Sequence, residues 1–196
     1  MDPRESRLIR RLKQRDEAAF REMIRTYQTE VYNLIFRMLG NKEEAEDLAQ
    51  DVFVTVFKAI DGFRGESKLS TWLYRISVNH CKNRFKYLSR RNYNAMQPLN
   101  EITERAMSGR DGGPAMPLQG QVNRPDRMME GLQLEQAIQR EIAALDEDQR
   151  MLVILRDVQG LSYQEIAAIT ELPEGTVKSR LHRARMILKD RLKKYL

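Results

Sequence analysis

Cysteine is almost missing from this chain of 196 residues: Cys81 stands alone. No internal disulfide can form, which fits a reducing compartment. Long apolar runs are missing as well. "MLVIL" (Met151–Leu155) is the longest near an end, and Met1–Leu12 is charged throughout. No signal peptide or membrane span is therefore expected, and a cytoplasmic protein is. A glycine-rich phosphate loop is absent. His80-Cys81 and His182 lack metal-ligand spacing, and no carboxylate cluster sits with a plausible base. These absences argue against an enzyme, a metal site or a cofactor. Glycine, proline and aromatic residues are sparse, so the residues that remain point to an all-α protein.

Charge is what the chain has, at 32% of residues, with a net +6 and a pI near 9.5. That suggests a polyanionic partner, although overall charge alone also suits an ordinary basic protein. Its placement says more. From Gly175 to Leu196 eight Lys/Arg face one acid, Asp190, and from Ser67 to Asn100 seven basic residues occur with no acid.

Apolar residues recur at helical spacing. Ala19, Phe20, Met23, Ile24, Tyr27, Val31, Leu34, Ile35 and Met38 describe one amphipathic helix ending at Gly40. Asn41 and Glu44 have capping-box spacing ahead of a stripe from Ala45 through Leu48, Ala49, Val52, Phe53, Val56 and Phe57 to Ile60. After "GFRGESKLS", a third helix is expected from about Thr71 to Ser89. Asn94–Met129 then holds four of the six prolines and four of the ten glycines but no aromatic residue, the composition of a flexible linker. Helical pattern resumes near Glu130 with Leu132, Ile138, Ile142 and Leu145. Asp146/Gln149 and Ser162/Glu165 add two more capping signals, with Gly160 as a stop between them. Two small helical domains, 1–93 and 130–196, on a tether at 94–129 are the expected organisation.

The end of the chain predicts a helix-turn-helix. Ala167 is the small residue across which a second helix packs, flanked by Ile166 and Ile169, and Val177 lies ten residues on. Val177, Leu181, Ala184 and Leu188 make one buried stripe. The opposite face presents Gly175, Ser179, His182 and Arg183, with Lys178 and Arg185 on one flank and Arg180 on the other. Such residues in the first turns of a recognition helix reach base edges and phosphates. The turn has Glu171 where glycine is usual, and a left-handed conformation there costs roughly 1 kcal/mol.

The N-terminal domain carries a second basic surface, interleaved with Trp72, Tyr74, Phe85, Tyr87 and Tyr93. Basic groups track phosphates and aromatic faces stack on unpaired bases; Trp72 suits either stacking or the core. Asn79 is a short amide able to read a base edge. The preceding helix has the opposite sign: "NKEEAEDLAQD" carries five acids against one lysine. Helix-dipole preference explains Glu43 and Glu44 well but Asp51 poorly. A DNA-facing helix would not be acidic, so the face of Asp47, Gln50, Asp51 and Val54 suits either a protein partner or helix-dipole decoration alone.

"AEDLAQDVFVTVFKAIDGFRG" (Ala45–Gly65), "STWLYRISVNHCKNR" (Ser70–Arg84) and "GLSYQEIAAITELPEGTVKSRLHRAR" (Gly160–Arg185), in this order, resemble the extracytoplasmic-function (group IV) sigma factors of the sigma-70 family. The resemblance covers nearly the whole chain. It implies a sigma region 2 helical bundle and a sigma region 4 helix-turn-helix joined by the linker. Asp47, Gln50, Asp51 and Val54 would bind core RNA polymerase at the β′ clamp, with the β flap as a further polymerase contact. Arg64, Ser67, Lys68, Leu69, Trp72, Arg75, Asn79, Lys82 and Lys86 would bind the −10 element. Thr176, Lys178, Ser179, Arg180, His182, Arg183 and Arg185 would bind the −35 element. It also implies promoter-specific initiation under an anti-sigma factor. Housekeeping sigma factors carry paired tryptophans where this chain has Trp72-Leu73, which implies a less forceful melting activity. The linker is charge-balanced, with four acids and four bases, where the family is often acidic.

Two other readings remain open on the residues alone. A conventional helix-turn-helix regulator would dimerise or sense a ligand through its N-terminal half and bind a palindrome. An enzyme acting on nucleic acid is the other, and it lacks the motifs named above.

Overall fold

Asp2, Asp16, Asn41, Asp146 and Ser162 each stand just ahead of a helix, and each accepts a hydrogen bond from a first-turn backbone N–H. The distances are 3.0 Å from Arg4, 2.8 and 3.2 Å from Ala18 and Ala19, 2.9 Å from Glu44, 2.8 Å from Gln149 and 3.2 Å from Glu165. Caps of this kind contribute about 1 kcal/mol each. They set the starts of five helices in the computed structural model, which describes residues 2–95 and 137–195.

The N-terminal half consists of α1 (Pro3–Lys13), α2 (Glu17–Leu39), α3 (Lys42–Ala59) and α4 (Leu69–Ala95). The charged opening of the chain hid α1, yet Ile9 and Leu12 are buried and Pro3 occupies the favoured first-turn position. α2 ends as expected at Gly40, whose left-handed φ of 74° lets its N–H reach the Phe36 carbonyl. At Asn41 only half of the expected box forms. Glu44 turns its carboxylate to Arg84 of α4 instead, at 2.9 and 3.3 Å. α4 is longer than expected at both ends. Leu69, Leu73, Val78 and Cys81 face the core, and burial pushes the Cys81 thiol up to about 12, leaving it inert.

The C-terminal half contains a helix over 137–143 (α5), α6 (Glu147–Val153), α7 (Tyr163–Thr170) and α8 (Glu174–Leu192). α6 was expected to run unbroken to Gly160. It widens instead into a π-helical turn at Ile154–Val158, which carries Ile154 and Leu155 into the core. Ser162 and Glu165 form the complete capping box. All regular elements among the described residues are helical, and none of these helices is long and apolar enough to cross a membrane. Most of the expected linker, and the expected domain start at residue 130, lie outside the described residues; Asn94 and Ala95 belong to α4.

The buried side chains of the two halves form one contiguous cluster. α7 lies along α4, and α6 meets the end of α2. Arg150 is the peg of this joint. Its guanidinium donates to the Met38 carbonyl at 2.7 Å, to Leu145 at 3.1 Å and to Ala143, and lies 5.7 Å from the Phe85 ring centroid. Met38 and Ala143 lie at helix C-terminal ends, whose unpaired carbonyls carry partial negative charge. Burial lowers the Arg150 pKa, but a guanidinium keeps its proton even so. Nearby, Tyr74 donates its single proton to Glu30 at 3.0 Å, and the Gln159 amide approaches the same hydroxyl at 3.3 Å. Burial first, then the Glu30 charge, raises the Tyr74 pKa.

Candidate nucleic-acid interfaces

The outward face of α8 follows from what it buries. Val177, Leu181 and Ala184 are in the core, while Leu188 is half-buried as the helix runs off the domain. Glu171 adopts the left-handed conformation expected of the turn, with φ 62° and ψ 22°, and its N–H bonds the Ala167 carbonyl at 2.9 Å. Ala167 is half-buried, with Ile166 and Ile169 buried beside it. Gly175, Ser179, His182 and Arg183 are all exposed on the far side. Ser179 donates to the Thr176 carbonyl at 3.1 Å, which leaves its lone pairs free to accept; Thr176 itself is half-buried.

The flanking cations are engaged. Lys178 pairs with Glu174 at 2.6 Å and lies over Tyr163, Arg180 pairs with Asp148 at 2.7 Å, and Arg185 pairs with Asp157. His182 and Arg183 have no side-chain hydrogen bond or ion pair among the described residues. They are the groups most available to a ligand.

Along α4, Lys68, Trp72, Arg75, Asn79, Lys82 and Lys86 are spaced alternately by four and three residues. They therefore share one face from just before its first turn to its middle. Asn79 and Lys86 are exposed and Lys82 is half-buried. Trp72 is half-buried with its ring centroid 5.1 Å from that of Phe63, so it is partly core. Leu69 departs from expectation. It is 0% exposed, and its N–H is held by the Glu5 carboxylate of α1 at 2.5 Å. As folded it offers no surface to a base; it anchors the loop that carries Arg64 and Ser67. Gly65 in that loop has φ 74°, a conformation that favours glycine. Arg64 is exposed and only loosely paired with Glu66 at 4.0 Å, and Ser67 donates to the Lys68 carbonyl at 3.3 Å. Arg84, also in the basic run, is committed to Glu44 and lies over the Tyr87 ring.

The α4 face is lined by acids from the other half. Lys68 lies 3.6 Å from Glu165, and Arg75 pairs with Glu171. Lys82 and Lys86 share a cleft of about 270 Å³ with Glu147 and Asp148 of α6. Glu147, Asp148 and Glu165 lie in the first turn of a helix, where backbone preference already favours acids. That is why the sequence did not signal a cross-domain role.

The acidic face of α3 is open. Asp47, Gln50 and Asp51 are exposed and Val54 is 50% exposed. Phe57, expected in the buried stripe, is 48% exposed. It lies three residues beyond Val54 and extends the same outward face. Arg15 closes that end by donating to the Phe57 carbonyl and Asp61 while its guanidinium lies 5.0 Å from the Phe57 ring centroid. An i, i+3 reading from Val54 would have found Phe57. Nothing in the charged N-terminus pointed to Arg15.

A helical bundle with a basic, aromatic-lined helix, joined to a helix-turn-helix with an open reading face, is the architecture of a DNA-binding transcription protein. Residues 23–91 match the family model for sigma-70 region 2, and residues 135–188 match the one for sigma-70 region 4. The chain is 35% identical to the ECF RNA polymerase sigma-E factor of Escherichia coli K12, across 94% of this chain and 92% of that one. It is 34% identical to the RNA polymerase sigma-H factor of Pseudomonas aeruginosa, across 92% and 90%. Among solved structures, CnrH in complex with the cytosolic domain of CnrY superposes with a TM-score of 0.66, over 97% of both chains at 19% identity. RpoE of Bartonella quintana, solved with the anti-sigma factor NepR, superposes with a TM-score of 0.62 at 25% identity, over 89% of this chain and 96% of that one. The chain belongs to the extracytoplasmic-function sigma factors of the sigma-70 family. It is a sigma factor, which directs RNA polymerase to particular promoters.

Proposed function

We propose that three faces divide the work of promoter recognition. The exposed acidic face of α3 (Asp47, Gln50, Asp51 and Val54, extended by Phe57) docks on core polymerase. The α4 face and the loop before it (Arg64, Ser67, Lys68, Trp72, Arg75, Asn79, Lys82 and Lys86) bind the −10 element. The outward face of α8 (Ser179, His182 and Arg183, flanked by Thr176, Lys178, Arg180 and Arg185) binds the −35 element. Residues 1–93 and 130–196 are the two functional units and 94–129 the tether. The protein acts in the cytoplasm as a binding subunit rather than an enzyme. Control by an anti-sigma factor is supported by the anti-sigma factor bound to the Bartonella relative.

The observation that carries this reading is that the acidic face and the α8 basic face are both open, on elements held rigid by separate buried stripes. In vitro transcription with purified core polymerase tests it. Failure of the chain to direct promoter-dependent initiation would sink the reading, whatever its DNA affinity. Asp51→Lys is expected to weaken core binding about tenfold or more, a factor of ten being ~1.4 kcal/mol, while −35 duplex binding is retained. Equal loss of both would reject the assignment of α3.

A further inference from the structure

Glu171 is an unusual choice for its position. The turn demands a left-handed residue, φ is 62°, and glycine would meet that demand without strain. The side chain that glycine would lack reaches across to Arg75 of α4. Six residues earlier, Glu165 completes the capping box of α7 and also lies 3.6 Å from Lys68. Both acids thus address cations spaced two helical turns apart on the proposed −10 face. The apolar and Arg150-centred contacts beneath them hold the halves together without choosing which groups of that face are covered.

We infer that Glu165 and Glu171 form an internal latch, in which two carboxylates of the helix-turn-helix occupy Lys68 and Arg75 as DNA phosphates would and so keep the −10 face closed in the free chain. The inference rests on the assignment of that face made above. An exposed pair is individually weak, so the latch is suited to release: docking on polymerase, or DNA itself, need only outcompete two such pairs and the packing under them. In the closed state His182 and Arg183 stay exposed, so the −35 face stays usable while the −10 face does not.

The test uses the full chain with spin labels at Lys58→Cys and Lys189→Cys, the buried Cys81 being unreactive. Pulsed dipolar distances should give one narrow population in the parent. A longer-distance population should grow at least threefold in Glu165→Gln/Glu171→Gln. Arg75→Glu alone should raise the longer-distance population, and Arg75→Glu/Glu171→Arg should lower it again. A parent that is already open, or a swapped pair that stays open, overturns the latch. A second readout is affinity for a fluorescein-labelled twelve-nucleotide oligothymidylate. It should rise about three- to tenfold in Glu165→Gln/Glu171→Gln, the range two exposed pairs allow. Glu17→Gln/Glu22→Gln, with the same change in net charge, should respond much less; an equal rise would mean bulk charge and overturn the latch. Failure in polymerase-directed transcription with the distances behaving as stated would sink the promoter reading, not the closure.

Discussion

The two basic faces of this protein carry similar charge and opposite circumstances. On α8 the flanking cations are paired within their own half, by Glu174, Asp148 and Asp157, and the central His182 and Arg183 are left open. On the α4 face the pairing acids come from the other half, and they fall on Lys68 and Arg75 at its N-terminal end. A count of lysine and arginine does not separate a ready binding surface from an occupied one. What separates them is whether the neutralising carboxylate belongs to the same rigid unit or to one that can leave.

The comparison breaks most completely if α8 loses its seat. Leu181→Ala empties a fully packed position and is expected to cost about 2–5 kcal/mol in denaturant unfolding, abolishing −35 binding. Retained −35 binding despite that loss would mean the buried stripe does not orient the face. Next in size, Arg183→Ala should change discrimination at one −35 base pair by ~1–3 kcal/mol, read from binding to single-substituted duplexes. Uniform weakening across all of them would make Arg183 a phosphate contact.

Lys86→Ala should instead weaken single-stranded DNA binding evenly across sequences and lower the salt slope by about 0.7; a sequence-dependent loss would show that it reads a base. The smallest effect concerns acid. The Glu165 carboxyl is held below its ordinary 4.5 first by the Ser162 backbone N–H, then by the Ser162 hydroxyl and Lys68. A depressed carboxyl stabilises above its unfolded value and loses that contribution as pH falls through the folded one. The joint should therefore loosen on acidification below about 4.5, seen as faster amide exchange at the start of α7, and Glu165→Gln should remove that dependence. An unchanged pH profile in the variant would assign the effect to other carboxyls.

Much of this was legible because it is local. A cap needs a polar residue and the next three backbone amides, so Asn41, Asp146 and Ser162 announced their helices without any tertiary information. The α8 stripe and the left-handed turn at Glu171 were legible for the same reason. Where two uses competed for one side chain, sequence spacing misled. Glu44 had the spacing of a capping box and went to Arg84, because a guanidinium forty residues away binds a carboxylate more strongly than one backbone amide does. Phe57 fitted the apolar stripe of α3 yet stands half out of it. Leu69, placed among the DNA contacts by resemblance, is buried under the carboxylate of a helix that charge had concealed.

The sequence by itself determined the two classes of face, acidic on α3 and basic on α4 and α8, together with the helices that carry them. Periodicity of 3.6 and the chemistry of caps act over a few residues. Only the tertiary structure decided which charges were spoken for, because ion pairing and burial depend on distance in space. Residues 75 and 171 lie 96 apart in the chain, and only packing α7 along α4 brings them together.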